Sequence, residues 1–134
     1  MLRRQFTFGA LALLAGATSA QAAQVPAPRS GQGLIMFYRP RRAMAAAIRF
    51  DVNSSSGPVG NLSNGSVIAF HAPPGNYAFS VSTPSVAGSN SITVDLQAGQ
   101  TAFVRADMRA GWPAGRGKFI RMPDDQARAE IAKI

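Results

Sequence analysis

The sequence predicts an all-β protein: a small antiparallel β-sandwich with a short C-terminal helix, preceded by a cleavable signal peptide. Three observations predict it. Apolar and polar residues repeatedly alternate with period two, as in Ile48, Phe50 and Val52 against Arg49, Asp51 and Asn53. Turn clusters separate these runs at the spacing of roughly 8–12 residues that sandwiches show. A helical period occurs only at the C-terminal end, and no glycine-rich phosphate loop follows a strand, which argues against a nucleotide-binding α/β fold.

The elements follow in order. Residues 1–22 have the three parts of an export signal: Arg3 and Arg4, an apolar run over 6–17, and small residues ending in Ala20 and Ala22. That run is too short to span a bilayer, which takes about 20 residues. Cleavage after Ala22 is expected, and the adjacent arginines leave both the general secretory and the twin-arginine routes open. The protein is therefore expected in the periplasm or outside the cell. Residues 23–32 hold Pro26, Pro28, Ser30, Gly31 and no apolar period, the composition of a flexible leader.

The domain then runs over 33–134. Residues 34–39, LIMFYR, are apolar on both faces and stopped by Pro40, which suits a strand covered on both sides. A half-buried strand at 48–53 is followed by the turn cluster 53–58, NSSSGP. Asn64-Gly65 gives a hairpin signal, since both residues tolerate positive φ. Strands are expected at 67–71, 77–82 and 91–96, and Ala98-Gly99-Gln100 turns into another at 101–109, where Ala102, Val104, Ala106 and Met108 share a face. A loop at 111–117 carries Trp112, the only tryptophan, and 118–122 is a last short strand. Asp124 and Asp125 stand at a helix start, where carboxylates answer free N–H groups and oppose the dipole, and Ala127, Ile131 and Ile134 follow at helical spacing.

Composition limits the chemistry. The 134 residues contain no cysteine and one histidine, so no disulfide, thiolate nucleophile, cysteine metal site or lipid-modified cysteine exists. A serine triad would combine His71 with Asp51, Asp95 or Asp107, yet no serine lies in a Gly-x-Ser-x-Gly elbow. The six carboxylates are dispersed, and no calcium-loop spacing is present. No enzyme activity, cofactor or metal is expected. The rival reading is a small envelope hydrolase with His71 as its base.

Binding chemistry is the better match. The formal charge is +8, falling to +6 when Arg3 and Arg4 leave with the signal peptide. The basic residues are scattered apart from Arg39, Arg41 and Arg42, without the aromatic interleaving of single-strand binders, so no nucleic-acid partner is expected. The candidate interaction surface comprises Arg39, Arg41, Arg42, Arg105, Arg109 and Trp112. Arginine forks bind anions and an exposed Trp anchors partners, and Arg105 and Arg109 share a strand face.

Several segments carry a resemblance. They are 33–40 (GLIMFYRP), 59–62 (VGNL), 64–66 (NGS), 73–77 (PPGNY), 96–101 (LQAGQT) and 103–105 (FVR). In this order they resemble the DUF2846 family of exported bacterial domains, which is similar to PEGA-type, immunoglobulin-like β-sandwich modules. The resemblance spans about residues 33–122 and implies a scaffold of unknown function with no catalytic residues to transfer. Arg39 and Arg105 are its matched polar positions with binding potential. The expected function is a non-enzymatic envelope module that binds another envelope protein or glycan; a carrier of a small anionic ligand is a further alternative.

Overall fold

The computed structural model describes residues 25–43, 47–83, 86–109 and 116–134. The expected signal peptide therefore lies outside the described residues. Eight strands and one helix follow one another: β1 (Gly33–Arg39), β2 (Phe50–Ser54), β3 (Gly57–Leu62), β4 (Ser66–Ala72), β5 (Gly75–Thr83), β6 (Val86–Leu96), β7 (Thr101–Arg109), β8 (Arg116–Met122) and α1 (Asp124–Ile131). They form two four-stranded sheets, β4-β1-β7-β8 and β3-β2-β5-β6. The sandwich expected from the alternation is the fold.

Every residue of β1 is buried, as its two-faced apolarity requires. Ile35 and Phe37 point between the sheets, where they meet Val52, Phe79, Val81, Val104 and Phe119. The Phe37 ring packs edge-on to Phe79 with centroids 4.8 Å apart, a favoured aromatic geometry. Leu34, Met36 and Tyr38 point the other way, into a second cluster with Phe103, Met122, Ala127 and Ile131. Helix α1 covers the outer face of the β1 sheet. Val25 and Ile134 border this cluster, so the leader touches the domain there and again where Gly99 N–H donates to the Gln32 carbonyl at 2.9 Å.

Four details differ from the sequence reading. The turn at Asn64-Gly65 has the positive φ expected of it, +66° at Gly65, but it carries the chain from β3 in one sheet to β4 in the other. The hairpin is instead β2–β3, which closes through Ser55 and Ser56. Strand β3 was not expected because Gly57, Pro58 and Gly60 disfavour strands; as an edge strand it pairs only with β2, and the missing N–H of Pro58 is tolerated there. Strand β1 also pairs in parallel with β7, whereas the expectation was antiparallel throughout. At the helix start no side chain caps α1; Asp124 instead accepts from Arg128 Nε at 2.9 Å, one turn on.

Candidate functional site

The parallel β1–β7 pairing decides where the charged residues gather. Tyr38 is opposite Arg105, so β1 and β7 run to the same end of the sheet. β8 begins at that end too, with Arg116 paired to Arg109. The Arg39–Arg42 cluster and the start of the last hairpin strand thus meet, although some 70 positions separate them in the chain.

Pro40 stops β1, and the chain turns out across the sheet end. Two contacts fix the path of the exposed residues that follow. The Arg42 N–H donates to Asn64 Oδ1 at 2.8 Å, and Arg41 lies against Gly65, where a Cβ would stand 3.2 Å from its Cζ. The sheet-crossing turn therefore has a second use. It holds Arg41 and Arg42 at the surface.

Arg39 has the opposite fate and corrects its place among the surface candidates. It is only 4% exposed. Its Nη1 donates to the carbonyls of Ile48 and, at 3.1 Å, Leu62, and its Cζ lies 4.0 Å above the Phe50 ring. A guanidinium fits here because it can stack on a ring while donating in its own plane. Burial lowers its pKa from the usual arginine value. Arg39 joins the end of β1 to residues of the opposing sheet.

Arg105 is also turned inward. Its Nε donates to Asp107 Oδ2 at 2.9 Å and its Nη1 to Glu130 Oε2 at 2.9 Å. Burial opposes the charge on Arg105, but Asp107 and Glu130 outweigh it and raise the pKa. The Tyr38 hydroxyl donates to Glu130 Oε1 at 2.5 Å. Burial above all, and then the Glu130 carboxylate, push the Tyr38 pKa up. Burial disfavours ionised Glu130 as well, yet the hydrogen bonds from Tyr38, Arg105 and Gln126 overcome it and hold the carboxyl below its ordinary value. This network ties α1 to β1 and β7. It holds Arg105 away from the role of free surface donor.

Two clefts open around Pro40 and Arg42. One, of about 290 Å³, is lined by Arg39, Pro40, Arg42, Asp107, Met108 and Lys118, with Ala106. The other, of about 240 Å³, is lined by Pro40, Arg41, Arg42, Glu130, Lys133 and Ile134. Among the described residues, Arg41, Lys118 and Lys133 form no ion pair, and Arg42 Nη2 stays 3.8 Å from Asp107 Oδ1. Cations therefore outnumber carboxylates around these clefts, and the surplus faces solvent. Lys118 and Lys133 were not among the site candidates read from the sequence, because each is a lone lysine that only the fold brings to the site.

Of the other candidates, Arg109 ends β7 at this end of the sheet, and Trp112 lies outside the described residues. His71 is half-buried on β4 opposite Leu34, and its Nδ1 is buried without a hydrogen-bond partner among the described residues. No group of three or more metal-ligating side chains gathers among the described residues. Nor, among them, is any helix long and apolar enough to cross a membrane.

A family model described as a protein of unknown function, DUF2846, matches residues 29–119. No curated protein matches the chain.

Proposed function

The chain belongs to the DUF2846 family, and from that premise we propose that it is a non-enzymatic β-sandwich exported to the bacterial cell envelope. There it binds another envelope component, a protein or glycan that carries negative charge. The observation that carries this reading is the surplus of solvent-facing cations, Arg41, Arg42, Lys118 and Lys133, around two neighbouring clefts at one end of the sandwich. Fixed cations in a concave surface raise the local concentration of anionic partners and speed encounter. Support for export comes from Arg3, Arg4, the apolar run and the small-residue end of the first 22 residues. Support for binding without catalysis comes from His71, whose Nδ1 meets no orienting carboxylate or serine hydroxyl among the described residues.

The test has two parts. N-terminal sequencing of the envelope form should begin at Ala23; an intact Met1 in a soluble cytoplasmic pool would refute export. The double charge reversal Arg42→Glu with Lys118→Glu should then abolish salt-sensitive retention of acidic envelope components in a protein that still unfolds cooperatively, with a modest fall in melting temperature from the new repulsion beside Asp107. Trp112→Ala should weaken the complex by about 2 kcal/mol if this ring anchors the partner. Retention that survives the charge reversal refutes the site. Loss of cellular function in His71→Ala at an unchanged melting temperature points to the hydrolase instead.

A further inference from the structure

The two clefts share Pro40 and Arg42 in their linings, and their walls are not uniformly cationic. Asp107 stands among the basic residues of the first cleft. Its Oδ2 accepts from Arg105, whereas Oδ1 accepts no hydrogen bond among the described residues and has only a loose ion pair with the exposed Arg42 Nη2, at 3.8 Å. Glu130 differs: its two oxygens already accept from Tyr38, Arg105 and Gln126. The site thus offers one open carboxylate acceptor between separated cations. A fully ionised phosphate has no hydroxyl to donate to that acceptor and is repelled by its charge. A ligand with both acid groups and hydroxyls gains from both.

Size points the same way. Each cleft alone falls short of the roughly 300–1,000 Å³ typical of small-molecule sites, while the two joined lie within that range.

We propose that the two clefts form one groove for an acidic glycan, whose acid groups meet Arg42, Lys118 and Lys133 and one of whose hydroxyls donates to Asp107 Oδ1. This rests on the reading of this end as the binding surface and names its ligand class. Arg105 is a positioning residue, since it fixes the Asp107 carboxylate through Oδ2 and leaves Oδ1 outward.

The probes are tetragalacturonate, neutral cellotetraose, inorganic tripolyphosphate and phosphatidylglycerol vesicles, titrated calorimetrically into the purified protein at one ionic strength. Tetragalacturonate should bind and cellotetraose should not. The triple variant Arg42→Gln, Lys118→Gln, Lys133→Gln should lose tenfold or more in affinity, about the effect of one charged hydrogen bond or larger. Asp107→Ala should weaken tetragalacturonate binding but leave tripolyphosphate binding unchanged or tighter, since only the sugar has hydroxyls to donate. Asp107→Asn keeps an acceptor oxygen and should retain the glycan, and melting curves confirm that each variant is folded. Tighter binding of both anions by Asp107→Ala overturns the proposal in favour of a generic anion surface. So does binding to vesicles alone, or none to tetragalacturonate. If the Arg42→Glu, Lys118→Glu reversal still removes envelope retention in that case, the glycan assignment fails while the binding-module reading stands.

Discussion

Removing the Glu130 carboxylate tests the network that joins α1 to the sheet. The variant Glu130→Ala takes away the acceptor of the fully buried Tyr38 hydroxyl and one of the two carboxylate partners of Arg105. A hydrogen bond to a charged group contributes about 1.5–3 kcal/mol, and a buried donor left unpaired adds its own penalty. Water reaches part of the site, since the Glu130 and Arg105 side chains are 24% and 16% exposed. That access discounts the ion pair toward surface values. The net expected loss is about 2–3 kcal/mol, or a fall in melting temperature of roughly 10 °C for a domain of this size. Urea titration and thermal melts at neutral pH measure it. Tyr38→Phe removes the hydroxyl but leaves no unpaired donor, so it should cost about 1 kcal/mol. A double-mutant cycle between the two should show about 1 kcal/mol of coupling. The pH dependence has a fixed sign. Because the folded pKa of Glu130 is lowered, its contribution is full above the unfolded carboxyl value of about 4.3 and fades as pH falls through the lower folded value. The stability gap between wild type and Glu130→Ala should therefore narrow in acid. A variant within about 0.5 kcal/mol of wild type at neutral pH, the scatter of ordinary surface changes, refutes the reasoning; so does a gap that widens in acid.

Arg39→Ala should destabilise by about 2–4 kcal/mol, because it removes the bonds to two carbonyls, the stacking on Phe50 and the packed stem. Arg39→Lys should recover only part of this in urea titrations, since an ammonium cannot stack and fork as a guanidinium does. Gly33→Ala should cost more than Gly99→Ala. A Cβ at Gly33 would lie 2.6 Å from the Gln97 carbonyl oxygen, which is backbone and cannot swing away. At Gly99 the surrounding space is open and only the positive φ of +78° resists, at about 1–2 kcal/mol. Equal melting temperatures for the two variants would contradict this ranking.

The sequence by itself determined the elements whose cause is local. Alternation in 101–109 identified the core face of β7, and Ala102, Val104 and Ala106 are buried there. The unbroken apolarity of 34–38 identified a strand covered on both sides. Gly65 marked a backbone position suited to positive φ, and it has it; the turn expected at 98–100 likewise places Gly99 at positive φ. Helical spacing placed Ala127 and Ile131 on one buried face.

Tertiary structure decided everything that depends on which strands are neighbours. Asn64-Gly65 specifies a turn, but a turn's residues do not say whether the next strand stays in the sheet or crosses to the other. Strand β3 is held by pairing with β2 against its own propensities. The parallel β1–β7 contact joins distant segments, and no local pattern encodes it. That contact sorted the arginines as well. Arg39, Arg41, Arg42 and Arg105 look alike in sequence, since a guanidinium suits both the surface and the interior. Only the fold shows that carbonyls, an aromatic ring and carboxylates surround Arg39 and Arg105, while Arg41 and Arg42 face water beside Lys118 and Lys133. Period reports which way a side chain points. The charge that remains unanswered there depends on partners brought from elsewhere in the chain.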